Sequence, residues 1–94
     1  MSQVFEVVRW SNDDGLANIE MLIDFSKEGI KPIILKKIIF NFKFYNEQGK
    51  LISVKEDKVR NIPTNKEIVK EIHLFNVPNE AQNMTTTIAD IEHD

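Results

Sequence analysis

The sequence predicts an all-β fold, an antiparallel β-sandwich, on three observations. Ile38, Phe40, Phe42 and Phe44 recur at every second position with Lys37, Asn41 and Lys43 among them, which turns one face of an extended segment inward and leaves the other wet. A helix would spread those rings around its circumference, where no single packed layer buries them all. Apolar and β-branched runs recur along the whole chain between clusters of Asn, Asp, Gly, Ser and Pro, the punctuation of strands and turns. At most one segment could act as a crossover helix, so a parallel α/β sheet is not supported. About seven short strands in a chain of 94 residues describe a single domain of immunoglobulin-like sandwich kind.

Taken in order, Val4 to Trp10 suits a strand near a sheet edge, with its facing left open. Val4, Val8 and Trp10 share one parity, Phe5 and Val7 the other. Ser11 to Gly15 is a turn cluster in which Asn and Asp side chains bond nearby backbone. Leu16 to Phe25 admits a helix capped by Asp13 and finished by Lys27 and Gly29. The strand reading is preferred, because it places Ala17, Ile19, Met21, Ile23 and Phe25 on one face and gives the Phe-rich strand a partner. Pro32 holds Lys31 extended ahead of Leu35 to Asn46. A loop containing Gly49 then leads to Leu51 to Val54 as a hairpin. Lys55 to Lys58 reads as a charged bridge, Val59 to Ile62 as a short strand stopped by Pro63, and Thr64 to Lys66 as a turn. Ile68 to Phe75 alternates, with Lys70 the intruder on its apolar face. Val77 to Asn83 is a longer loop, Met84 to Ile91 a Thr-rich strand, and Glu92 to Asp94 a fraying end.

A formal net charge of −3 with dispersed lysines argues against a surface that tracks phosphates, so no nucleic-acid partner is expected. The sequence contains no cysteine, which removes disulfides, thiolate ligands and thiol nucleophiles. No run approaches the roughly 20 apolar residues of a membrane span. The N-terminus lacks a basic opening followed by an apolar stretch. As written the chain is expected to be cytoplasmic, or extracytoplasmic if it is a domain of a longer exported protein.

At Phe42-Lys43-Phe44-Tyr45-Asn46 the chain resembles the small bacterial FxLYD domains, named for a Phe-x-Leu-Tyr-Asp signature. Phe44 stands at the Leu position and Asn46 at the Asp position. The likeness continues through Gly49, Leu51-Ile52 and Ile62-Pro63 to the alternating run that ends near Leu74. It implies an immunoglobulin-like accessory module, usually in exported or surface proteins, with no catalytic residues. The signature also has a plain physical reading, in which Phe42 and Phe44 fill the core, Tyr45 turns outward and Asn46 opens a turn.

Reactive chemistry has little to work with, so no enzyme and no cofactor are expected. His73 lies on an outward strand face and His93 on the tail, without a Cys partner or a Gly-x-Ser-x-Gly elbow, and solvent-facing imidazoles are the simpler reading. Asn12-Asp13-Asp14, and the group of Asp90, Glu92, His93 and Asp94, offer carboxylates without a metal-ligand spacing. Lys36, Lys37 and Lys43 near aromatics could serve single-stranded nucleic acid, but the rings are needed inside and the lysines guard a hydrophobic strand equally well. Phe5, Trp10 and Tyr45 are the candidate partner contacts, since aromatic residues anchor interfaces, although Trp10 also suits the core.

Two functions follow. The first is a non-enzymatic module that binds a protein partner, a second copy of itself included, through an edge strand or its loops. The second is a small acidic inhibitory or ligand-binding protein. It would block an enzyme or a basic groove with the acidic loops Asp13-Asp14 and Glu92 to Asp94.

Overall fold

The computed structural model describes residues 4–92, which form six strands. They are β1 (Phe5–Asp13), β2 (Leu16–Asp24), β3 (Ile34–Tyr45), β4 (Leu51–Pro63), β5 (Glu67–Leu74) and β6 (Asn83–Glu92). All pairings are antiparallel, and no segment among the described residues is helical. One sheet has the order β1-β2-β5 and is called sheet A below; the other, sheet B, has the order β4-β3-β6. Each sheet is therefore built around one central strand, β2 or β3. The molecule measures 42 × 24 × 19 Å. Its long axis matches the run of a 12- or 13-residue strand at about 3.3 Å per residue.

Both central strands alternate as the sequence predicts. Ala17, Ile19, Met21 and Ile23 of β2, with Phe25 just beyond it, are buried, which settles the helix-or-strand question for this segment as strand. Ile38, Phe40, Phe42 and Phe44 of β3 are all 0% exposed. Each such ring contributes roughly 1.5–3 kcal/mol by leaving water. Two ring pairs join the sheets edge to face, Phe5 on Phe40 at 5.3 Å and Trp10 on Phe44 at 5.7 Å.

The open question of how β1 faces is answered by a bulge. The register against β2 shifts between Val7 and Arg9, leaving Val8 unpaired and 48% exposed. Phe5 and Val7 point inward before the shift and Trp10 after it, so both parities reach the core.

The strand count is six rather than seven, because the charged bridge Lys55 to Lys58 is itself strand. It joins the two short runs on either side into β4. Its composition resembles a loop, but β4 is an edge strand, and its inward positions Ser53, Lys55 and Asp57 lie opposite Phe44, Phe42 and Phe40 at the open side of the sandwich. Further along, Leu35 pairs with Ile62 and Ile38 with Val59, all four buried although the intervals are odd. On β4, Asn61, at φ +57°, absorbs the change of face.

Loops at each pole tie the sheets together. At one pole, the two-residue turn Asp14-Gly15 has φ +53° and +95°, the signs of a type I′ hairpin. Asn12 Oδ1 accepts from Gly15 N at 3.0 Å, Asn12 Nδ2 donates to the Pro78 carbonyl at 2.8 Å, and Val77 N donates to the Gly15 carbonyl at 2.9 Å. At the other pole, Thr64 is 1% exposed. Its Oγ1 accepts from Ile33 N at 2.9 Å and donates to the Lys31 carbonyl at 2.9 Å, fixing the 26–33 loop against the β4–β5 connection.

Candidate binding surfaces

The outer face of sheet A is built from the residues that alternate with the core. Its rows across β1, β2 and β5 read Asp13 with Leu16, then Ser11, Asn18 and His73, then Arg9, Glu20 and Glu71, then Glu6, Leu22 and Val69, then Asp24 with Glu67. Six carboxylates (Glu6, Asp13, Glu20, Asp24, Glu67 and Glu71) thus share this face with Arg9, and Lys27 from the following loop borders its Glu6, Asp24 and Glu67 end. The outer face of sheet B is balanced by contrast, with Lys37, Lys43, Lys58 and Arg60 against Glu56, Asp90 and Glu92.

A shallow groove of about 350 Å³ crosses the middle of sheet A, with Arg9, Glu20, Asn18, Glu71 and His73 among its walls. Arg9 Nε stands 3.4 Å from Glu20 Oε1 with its side chain largely in water, so the pair contributes little. Asn18 Nδ2 donates to Asp13 Oδ2 at 2.7 Å, which turns Asn18 Oδ1 toward His73 Nδ1, also at 2.7 Å. An amide oxygen only accepts, so in this contact His73 Nδ1 is the donor. The arrangement orients an imidazole, while Ser11 Oγ leans on Asp13 Oδ2 at 3.4 Å. Among the described residues, no group of three or more His, Asp or Glu side chains is placed to hold a metal ion.

The sequence-derived contact residues are dispersed rather than brought together. Phe5 and Trp10 are half-buried between the sheets, their edges on Phe40 and Phe44. Tyr45 lies on the outer face of sheet B, its hydroxyl 3.3 Å from Thr85 Oγ1. Asn46 caps the following turn, its Oδ1 accepting from Gln48 N and Lys50 N. Asp13 and Asp14 both stand at the β1–β2 turn and both hold structural partners. Asp13 accepts from Asn18, and Asp14 Oδ1 accepts from Asn79 Nδ2 at 3.2 Å. His93 and Asp94 lie outside the described residues. Glu92 ends β6, paired with Lys37 Nζ at 2.8 Å, and that hydrogen bond is the main reason its carboxyl sits below its ordinary value.

Of the large exposed apolar side chains among the described residues, Val8, Leu51, Val54, Val69 and Ile91 lie on strands, and Ile30, Ile33, Ile34 and Phe75 lie at the two poles. Phe75, 69% exposed, follows β5 beside the Asp14-Gly15 turn. Ile30, Ile33 and Ile34 are 45%, 44% and 64% exposed at the opposite pole. There a cleft of about 280 Å³ opens between Pro32, Ile33, Ile34 and Pro63, with Asn65 and Lys66 at its rim. The signal for Phe75 was present in the alternation, since Ile72 and Leu74 point inward and the next residue must not. Ile30 and Ile33-Ile34 flank a proline in a loop, where no periodicity marks exposure.

No family model, curated protein or solved structure matches this chain.

Proposed function

We propose that this domain is a non-enzymatic interaction module that engages a protein partner through the loops at its poles. The observation that carries the reading is the position of four of the large exposed apolar side chains. Ile30, Ile33, Ile34 and Phe75 stand on or beside loops that hydrogen bonds hold in place. An apolar cluster held rigid and wet is the usual form of a contact surface. Edge-strand addition is the weaker version of this reading. β1 and β6 carry bulges at Val8 and Ala89, while β4 and β5 turn Lys55, Asp57 and Lys70 inward, all devices that discourage a further strand. The FxLYD resemblance, with its accessory role, points the same way. Photo-crosslinkers placed at Ile30 and Phe75, and as controls at Val54 and Lys58 on β4, test it. Adducts with a protein are expected from the polar positions alone. Adducts from β4 alone, or from no position, would remove the reading.

A second reading is favoured by the acidic outer face of sheet A. The module would there cover a basic groove on an enzyme or nucleic-acid-binding protein, the carboxylates arrayed across the sheet rather than confined to the Asp13-Asp14 loop. Binding of that kind weakens steeply as salt rises. A complex indifferent to salt excludes it.

A further inference from the structure

The two poles of the sandwich are unlike in a way that makes them complementary. The pole of the Asp14-Gly15 turn gathers Asp13, Asp14, Glu47 and Glu80 against Lys50, and presents Phe75, the most exposed large apolar side chain of the described residues. The opposite pole gathers Lys27, Lys31, Lys36, Lys37, Arg60 and Lys66 against Glu6, Asp24, Glu28, Glu67 and Glu92, which leaves it close to balance, and opens the proline-isoleucine cleft with Lys66 at its rim. One pole thus offers an aromatic side chain set among carboxylates; the other offers a shallow proline-isoleucine recess with one cation, Lys66, at its rim. The recess, at about 280 Å³, is shallow and open, a surface against which a phenyl ring can lie. Both features are held in place, the first by the bonds among Asn12, Gly15, Val77 and Pro78, the second by Thr64, so neither must order itself on contact.

We propose that copies of this chain associate head to tail, Phe75 of one copy resting in the Pro32-Ile33-Ile34-Pro63 cleft of the next while the acidic turns face Lys66 at its rim. The proposal rests on the reading of the poles as contact surfaces and names a second copy as the occupant. Such a contact is heterologous: each copy uses a different surface on each side, so association continues into short rows until a pole is blocked. The bulges and inward charges of the edge strands keep those rows from widening into a continuous sheet. The excess of carboxylates at the Phe75 pole disfavours a contact between two such poles, which leaves the cleft pole as the partner surface.

Complementation between blocked copies tests this. Sedimentation velocity across micromolar to near-millimolar concentrations is expected to show the unaltered chain growing beyond a dimer at low salt and shrinking toward the monomer at about 0.5 M salt. Phe75→Glu blocks one pole and Ile34→Glu the other. Each alone is expected to raise the apparent dissociation constant at least about tenfold. Mixed in equal amounts, they restore one junction, the intact cleft of the Phe75→Glu chain with the intact ring of the Ile34→Glu chain, and give a dimer that grows no further. That recovery also shows that both variants fold, as matching circular dichroism spectra would. A monomer at every concentration, a variant that associates like the unaltered chain, or a mixture that stays monomeric overturns the proposal. If the unaltered chain is monomeric yet a foreign protein crosslinks at Phe75 or Ile30, self-association falls and the interaction-module reading stands. If neither pole touches anything, both fall.

Discussion

The two central strands and the four edge strands of this sandwich obey different rules. In β2 and β3 nearly every inward position holds a buried apolar side chain, and the ladder is filled on both sides. Along the edges the pattern is broken in each case: an unpaired Val8 in β1, an unpaired Ala89 in β6, Ser53, Lys55 and Asp57 turned inward in β4, and Lys70 turned inward in β5. A central strand gains most from unbroken burial because a one-residue slip would bring its whole apolar set to solvent. An edge strand keeps one row of backbone groups unpaired, and an uninterrupted apolar edge would recruit strands from other molecules. The centre therefore specifies the fold and the edges limit what the fold can join.

The largest test of this division is truncation at the centre. Phe42→Ala is expected to destabilise the domain by about 3–5 kcal/mol, the transfer term plus the cavity left between the sheets. That is a large part of the roughly 5–15 kcal/mol typical of a small domain. Trp10→Ala, at a half-buried site on β1, is expected to be milder despite removing a larger side chain. Denaturant titrations of both variants decide the matter. Equal losses, or a greater loss at Trp10, would break the distinction between centre and edge.

The same division explains what could be read from the sequence. Period-two alternation identified β3 through Phe40, Phe42 and Phe44, and β2 through Ala17, Ile19, Met21 and Ile23, because burial of one face leaves no latitude in those positions. It left β1 ambiguous, since the bulge at Val8 reverses parity within the strand and alternation assumes there is none. It divided β4 in two, because Lys55 to Lys58 look like a loop unless the segment is known to lie at an open edge. Of the candidate contacts, Phe5 and Trp10 were recognisable as aromatic but not as half-buried, a matter of which strand crosses which ring in the other sheet. The acidic face of sheet A was hidden for a related reason. Its six carboxylates come from three strands far apart in sequence, and only the pairing register assembles them.

A smaller effect of opposite sign is expected on β6. Thr86 Oγ1 faces inward opposite Phe42 and, among the described residues, is buried without a hydrogen-bond partner. Thr86→Val keeps the branched shape and removes the stranded hydroxyl, so a gain of about 1 kcal/mol is expected. A loss in the denaturant midpoint would mean that the edge strand satisfies this group. Lys70→Val on β5 sharpens the point further. It completes an apolar inward row of Ile68, Val, Ile72 and Leu74, and should shift stability by less than about 1 kcal/mol while lowering solubility. Light scattering against concentration reads that change. Unaltered solubility would show that Lys70 does not protect the edge.

The smallest expected effect concerns pH, and it sets the end of a central strand against the end of an edge strand. Asp24, closing β2, is held below its ordinary 3.8 chiefly by hydrogen bonds from the Ser26 hydroxyl and backbone N–H. Glu92, closing β6, is held below its ordinary 4.5 chiefly by the hydrogen bond from Lys37, with further attraction from Lys36 and Arg60. In both, folding favours the ionised form. The stabilisation is therefore complete above those ordinary values and is lost as pH falls through the lower values of the folded state. Stability should hold steady from neutrality to about pH 5 and decline only below it, in two parts that salt separates. Asp24 relies on short-range donors and should keep its share at high salt, whereas much of the Glu92 share is charge attraction at the surface and should shrink. Denaturation midpoints against pH for Asp24→Asn and Glu92→Gln, each at low and high salt, measure the two shares. A decline that begins above pH 5, or an acid response that neither variant flattens, would mean that other groups govern the acid limit of the fold.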